Sequence, residues 1–65
     1  DLLEVALKYN LIDQHGAWFS IINPDTGEIL ADKIQGMANV RDFFMDEENE
    51  AVLSFVEQYI DDKIG

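Results

Sequence analysis

The sequence predicts a small α+β domain, in which a helix is followed by an antiparallel β-hairpin or short sheet and then by two helices. Three stretches carry this prediction: a leucine-rich start, a turn sequence between two strand-like segments, and an amphipathic stripe at the end. The chain has 65 residues, 48% of them apolar, so we place one domain over residues 1–65. Most of its apolar residues are therefore needed for the core.

The opening stretch predicts a helix over residues 1–12. Its apolar residues are dense enough for a helix that is buried on more than one side: Leu2, Leu3, Val5, Ala6, Leu7, Tyr9, Leu11 and Ile12. The acidic residues Asp1 and Glu4 suit the first turn of such a helix. We expect Gly16 to end it, because a glycine just past the last turn can adopt the left-handed conformation of a C-cap.

The middle of the chain predicts a hairpin. Residues 17–22 are mostly β-branched, aromatic or small, and the sequence NPDTG follows, in which Pro24 fixes φ and Gly27 can take a positive φ. We place the return strand over residues 28–35. Trp18 and Phe19 are neighbours on the first strand and must point to opposite faces, so one enters the core and the other meets solvent or a helix. For both aromatics we favour packing over the alternative of stacking on a nucleic-acid base.

Two helices are predicted to complete the domain. Asn39 is the expected N-cap of a short helix through Met45, with Val40, Phe43 and Phe44 on one side. The last helix has a stripe with helical spacing: Val52, Phe55, Val56, Tyr59, Ile60 and Ile64. Four acidic residues lie in or before its first turn, where the helix dipole favours them: Asp46, Glu47, Glu48 and Glu50.

Composition narrows the classes of function. Fourteen acidic residues against four basic ones give a net charge of -10, which disfavours general binding to DNA phosphates and favours basic partners. The chain has no cysteine and hence neither a disulfide nor a thiolate metal site. No apolar run approaches the roughly 20 residues that span a bilayer, so we expect no membrane partner and a cytoplasmic location.

No motif in the chain predicts catalysis or metal binding. It lacks a phosphate-binding loop, an HExxH sequence and a nucleophile elbow, so we assign no catalytic residue. The run DEENEAVLSFVE places acids where a calcium loop needs them, but Ala51 stands where that loop requires glycine, and a solvated helix is the better reading. His15 has the residue type of a pH switch, yet a histidine in the last turn of a helix is favourable without any function.

Two stretches resemble the C-terminal domain of RecA-type recombinases. In DLLEVALKYNLIDQHGAWFSI, a leucine-rich helix with a central lysine leads into a Leu-Ile pair, a polar triplet and the family's Gly-Ala-Trp-aromatic-Ser strand. DKIQGMANVRDFF resembles the family's acid-Lys-Ile, Gln-Gly and Ala-Asn elements and the helix that follows them. The terminal helix agrees in pattern only. The likeness covers nearly the whole chain, and its most specific part is Gly16-Ala17-Trp18.

The resemblance implies a part of a longer bacterial or bacteriophage protein, which agrees with a chain that begins at Asp1. In that family the domain sits beside an ATP-binding core in a filament on single-stranded DNA and helps capture duplex DNA, while an acidic tail modulates access. It implies roles in DNA recombination, DNA repair and the SOS response. ATP and Mg are implied for the parent, a DNA-dependent ATPase, and no cofactor for this domain. The implied partners are double-stranded DNA, neighbouring recombinase subunits and basic recombination mediator proteins.

Lys8 matches a family lysine on the opening helix and Lys33 the lysine of the acid-Lys-Ile element. With Arg41 they are the expected DNA-binding residues. Three positions where bacterial members commonly place lysines are uncharged here: Asn10, Gln14 and Met37. The stretch INPDTGEILA is longer than the family's compact turn, so we expect a protruding loop.

The four acids before the last helix, Asp46, Glu47, Glu48 and Glu50, are candidates for a regulatory role that repels or competes with DNA, although solvation of a helix face explains them equally well. The leading hypothesis is an accessory domain that assists or regulates duplex capture. One rival is an acidic module that docks basic partner proteins or neighbouring subunits. A third reading is a spacer that completes the parent fold.

Overall fold

The computed structural model describes residues 1–65, the whole chain. Its elements in chain order are α1 (Leu2–Lys8), β1 (Ile12–His15), β2 (Trp18–Ile22), β3 (Ile29–Gln35), α2 (Met37–Met45) and α3 (Glu50–Ile64). A single 3-10 turn, Glu47–Asn49, precedes α3. This order confirms the predicted α+β class, with a sheet of three strands between the first helix and the last two.

The first helix is shorter than predicted. It begins after Asp1, whose side chain accepts a hydrogen bond from the Leu3 amide at 2.7 Å, and it ends at Lys8 rather than at residue 12. Asn10 then adopts a left-handed φ of 65°, which asparagine tolerates better than most residues and which turns the chain out of the helix. Leu11 and Ile12 are buried beyond that turn, and Ile12 begins β1.

Gly16 does adopt the predicted left-handed conformation, with φ of 63°, but it does not end a helix. It lies with Ala17 in the two-residue turn between β1 and β2, where His15 pairs with Trp18. A positive φ at the first central residue alone is the pattern of a type II′ turn, whose twist suits a hairpin. The helix-cap prediction was wrong because the residues before Gly16 pair with β2.

The sheet has the strand order β1-β2-β3, and both pairings are antiparallel. Ile12 lies opposite Ile21, and Phe19 lies opposite Ile34. The pairing of β2 with β3 confirms the predicted hairpin, while β1 is an additional strand.

The loop between β2 and β3 is held at both ends of its turn. The backbone amide of Asn23 donates to the backbone carbonyl of Glu28 at 2.8 Å, and the backbone amide of Gly27 donates to the backbone carbonyl of Asn23 at 2.7 Å. The Tyr59 hydroxyl of α3 donates to Asp25 at 3.0 Å. The loop therefore does not protrude freely, since its turn is tied to the last helix.

The helices cover one face of the sheet and enclose the core with it. Ten buried side chains form this core: Leu3, Ala6, Leu11, Ile12, Phe19, Ile21, Val40, Phe44, Val56 and Ile60. The predicted stripe of the last helix faces it, except for Ile64 at the exposed end.

The start of α2 differs from the prediction. Its N-cap is Gly36, with φ of 81°, which lets the chain turn directly from β3 into the helix. Asn39 lies within the first turn, where its side-chain amide donates to the Gln35 carbonyl at 2.7 Å. Asn39 thus bonds back to the residue before the cap and is not the cap itself.

Candidate nucleic-acid interface

The face of the sheet opposite the core carries several polar side chains and Trp18. Alternation along the strands places Asp13 and His15 of β1 on this outer face, opposite Ser20 and Trp18 of β2. Trp18 is 49% exposed, whereas its neighbour Phe19 is 6% exposed. The prediction that these two aromatics point to opposite faces is confirmed, and Phe19 is the one in the core.

On β3 the outer face is shaped by an irregularity in the pairing. The register between β2 and β3 shifts between Phe19 and Ile21, and Lys33 has a left-handed φ of 57°, which is uncommon for a lysine. Asp32 supports this backbone, because its Oδ1 accepts hydrogen bonds from the Ser20 hydroxyl at 2.7 Å and from the Lys33 amide at 2.8 Å. The irregularity is therefore fixed by side-chain bonds.

The same two hydrogen bonds favour the ionised form of Asp32. The Ser20 hydroxyl has the largest effect and the Lys33 amide the next, and both lower the pKa of the Asp32 carboxyl below its ordinary value. Hydrogen bonds to the ionised form favour that form. Asp32 is thus a fixed negative charge beside Lys33.

Trp18 and Lys33 flank a shallow hollow of about 360 Å³ on this face. Trp18 lies opposite Gln35 in the β2–β3 pair, so Lys33 is its diagonal neighbour, two residues along β3. No salt bridge engages the Lys33 ammonium group. An aromatic surface and an unpaired cation thus lie side by side.

His15 lies at the end of β1, and not in the last turn of a helix as predicted. Its Nε2 is 2.9 Å from Oδ2 of Asp13, and both side chains are exposed. The prediction for His15 depended on a helix that ends before this residue, so the dipole argument no longer applies. The contact is instead an exposed pair of side chains along one strand.

The other two predicted DNA-binding residues lie on helices. Lys8 is in the last turn of α1, with its Nζ 5.7 Å from the centre of the Tyr9 ring. Arg41 is on α2 and lines a groove of about 250 Å³ between the three helices, together with the acids Asp1 and Glu57. No hollow contains two of the three residues Lys8, Lys33 and Arg41. Their joint role in DNA binding stays a prediction.

The acidic turn, which we define as Asp46, Glu47, Glu48 and Glu50, connects α2 to α3. Oδ1 of Asp46 accepts a hydrogen bond from the Glu48 amide at 3.0 Å, and the chain is helical from Glu47 onward. The run DEENEAVLSFVE is therefore the start of a helix. All four side chains are exposed, and none forms a salt bridge.

Sequence reasoning missed the proximity of Trp18 to Lys33. The two residues are 15 positions apart in the chain, and only the strand register brings them together. The turn sequence after β2 signalled a hairpin, but the irregularity at Lys33 changes which side chains share a face. The residue types alone carried no signal of that irregularity.

Comparison with protein families gives one match. The family model of the RecA C-terminal domain matches residues 1–65. Neither the curated proteins nor the solved structures give a match. None of the helices combines the length and the apolar character that crossing a membrane requires.

Proposed function

The chain belongs to the RecA C-terminal domain family, and from this premise we propose that it is the accessory domain of a RecA-like, ATP-dependent strand-exchange protein. In that protein it assists or regulates the capture of duplex DNA by the filament during recombination and repair. The observation that carries the proposal is the family match over the whole chain. ATP and Mg are assigned to the rest of the parent protein, since an accessory domain of this family is not itself catalytic.

The charges of the domain support DNA binding that is weak and depends on the salt concentration. Lys8, Lys33 and Arg41 are exposed, and no salt bridge neutralises them, so each is free to contact a phosphate. The domain as a whole repels DNA, because its net charge is -10. Three phosphate contacts would make the affinity fall roughly 40-fold between about 50 and 200 mM salt.

An NMR titration of this domain with a short duplex at low salt tests the proposal. Amide shifts are expected around Lys8, Lys33 and Arg41, and they should vanish as salt is added. Changing all three residues to glutamine should abolish binding. The matched control is Lys63→Gln, because Lys63 is the fourth base and lies over the Tyr59 ring of α3. No shifts near the three residues, or equal binding by the triple variant, would overturn direct duplex capture.

The acidic turn favours a second function, the docking of a basic protein surface. The observation behind it is that Asp46, Glu47, Glu48 and Glu50 project from one connection and that no cation neutralises them. A basic face of a neighbouring recombinase subunit or of a recombination mediator protein would complement this charge.

Neutralising the acidic turn separates the two functions. If the turn repels DNA, the neutralised variant should bind duplex more tightly. If it docks a basic protein, binding to the purified recombinase or mediator should fall instead. The control neutralises four other exposed acids: Glu4, Glu28, Asp61 and Asp62. A parent protein that exchanges strands normally without this domain would favour the spacer reading over both.

A further inference from the structure

The groove between the three helices leaves apolar side chains open to solvent. Leu3 and Phe44, which line it, are buried members of the core. Each helix adds one further apolar side chain that is not fully buried: Leu2 of α1, Met45 of α2 and Leu53 of α3. Met45 is 76% exposed, more than any other large apolar residue of the chain. Exposed apolar surface grouped in this way, with charged residues beside it, is typical of a protein contact site.

The charged side chains of the groove are not paired with one another. Arg41 lines it from α2 and Glu57 from α3, and both are exposed. No salt bridge joins Arg41 to Glu57 or to Asp1, the third charged residue of the groove. Asp1 is already in use as the N-cap of α1. The groove therefore offers a free cation on its α2 side and a free carboxylate on its α3 side.

The size and the charge of the groove narrow the choice of occupant. Its volume is about 250 Å³, whereas pockets that hold small-molecule ligands measure roughly 300–1,000 Å³. It is thus better suited to a side chain or two of a protein than to a whole cofactor. A second copy of the chain would bring another net charge of -10 and be repelled, as would an anionic membrane surface.

An amphipathic helix matches this surface. Such a helix places its apolar side chains in a hydrophobic groove and keeps its charged residues at the rim. The rim charges of the groove have opposite signs, so a complementary helix carries an acid on the side of Arg41 and a base on the side of Glu57. Met45 suits the contact, because a methionine side chain is flexible and adapts to the shape of the anchor.

We propose that this groove docks an amphipathic helix of a partner protein, which inserts an apolar side chain between Met45 and Leu53 and pairs an acid with Arg41 and a base with Glu57. The site differs from the acidic turn, since none of the four acids of the turn lines the groove. It also does not depend on duplex capture, because neither Lys8 nor Lys33 contributes to it.

Synthetic helical peptides of about 15 residues, long enough for an alanine-rich helix to form, serve as the probe. Each has leucines at positions i and i+4, flanked by glutamate on one side and lysine on the other (the mixed peptide), by lysine on both sides (the basic peptide) or by glutamate on both sides (the acidic peptide). In an NMR titration at physiological salt, the mixed peptide should shift the methyl signals of Met45 and Leu53. The indole signal of Trp18, on the opposite face of the sheet, should not move. Replacing one leucine of the peptide by alanine should weaken binding roughly 10-fold or more.

Charge reversal on either side of the groove should change which peptide binds best. With Glu57→Lys both sides are positive, so the acidic peptide should gain on the mixed one roughly 2- to 5-fold, the scale of an exposed ion pair. With Arg41→Glu the basic peptide should gain by a similar factor. The matched controls are Glu28→Lys and Lys63→Glu, which change the net charge equally at exposed positions outside the groove and should leave the order of the peptides unchanged. Circular dichroism checks that each variant is folded.

Absence of methyl shifts at Met45 and Leu53 with millimolar mixed peptide would overturn the proposal, as would the same order of peptides in the groove variants and in their controls. Shifts that occur in this domain but are lost in the purified parent protein would also overturn it, because they would mean that the parent itself covers the groove. Methyl shifts without duplex binding at Lys8 and Lys33 would support this site and remove duplex capture. Duplex binding without methyl shifts would have the reverse meaning.

Discussion

The two faces of the sheet present neighbouring aromatic residues in opposite ways. Phe19 is 6% exposed and packs among the core side chains contributed by the helices, while Trp18, one residue earlier, is 49% exposed on the outer face. The core face is closed by apolar contacts. The outer face is shaped by polar contacts, such as the bond from Ser20 to Asp32. Adjacent residues of similar chemistry thus contribute to stability on one face and to surface chemistry on the other.

Among substitutions that compare the two faces, Phe19→Ala should cause the largest loss of stability. It removes a buried ring from a chain of 65 residues and should destabilise the fold by about 3–5 kcal/mol, leaving little margin for folding. Trp18→Ala should cost only about 1 kcal/mol, the scale of a cross-strand contact. Urea unfolding followed by circular dichroism measures both. Equal losses would contradict the division between the two faces.

Substituting Gly16 tests the turn that sets the register of β1 against β2, and with it the face on which each side chain lies. No atom lies near the position that a Cβ would occupy, so Gly16→Ala meets no steric contact, and its cost is that of the positive φ alone, about 1–2 kcal/mol. Gly16→Asn should cost less, because asparagine tolerates this conformation. Thermal unfolding of the two variants gives the order. An alanine variant as stable as the original chain would show that the turn does not need its left-handed residue.

Tyr59→Phe tests the hydrogen bond that ties the β2–β3 loop to α3. Loss of the exposed bond to Asp25 should destabilise the fold by about 0.5 kcal/mol, the low end of the range for a hydrogen bond. A double-mutant cycle with Asp25→Ala isolates the pair. Additive losses in the cycle would mean that the bond contributes nothing in solution.

The smallest expected effect concerns Asp32 on the outer face. Because its pKa is lowered in the folded state, Asp32 adds stability above the ordinary pKa of an aspartate and loses that contribution as the pH falls through the lowered value. Ser20→Ala removes the largest cause, so the pKa of Asp32 should rise and the acid sensitivity of the fold should decrease slightly. Carboxyl NMR titration of Asp32 in the original chain and in the variant measures the change. An unmoved Asp32 titration would show that Ser20 does not hold this carboxylate.

The sequence predicted best the elements whose apolar residues repeat with one period along the whole element. The stripe from Val52 to Ile60 predicted α3, because an amphipathic helix repeats its apolar positions over several turns. The leucine-rich start did not show where α1 ends, because Leu11 and Ile12 continue the dense run of apolar residues into β1. The left-handed φ of Asn10 separates the two elements, and that conformation is not visible in the residue type alone.

The candidate site was predictable only in part. Strand alternation predicted that Trp18 and Phe19 would face opposite ways, and the family resemblance singled out Lys33. Their proximity depends on the register and on the irregular backbone at Lys33, which Asp32 fixes from a neighbouring position. These are properties of the pairing between strands, and no local pattern encodes them.

The bond between Tyr59 and Asp25 also bears on the order in which the chain folds. It joins residues 34 positions apart, whereas the hairpin of β1 and β2 closes over a two-residue turn. Local hairpins form within microseconds, about 1–10 μs, and distant contacts must first pay the entropy of closing a longer loop. The sheet and the backbone hydrogen bonds of the β2–β3 loop can therefore form before α3 docks, and only the bond from Tyr59 to Asp25 must wait for the last helix.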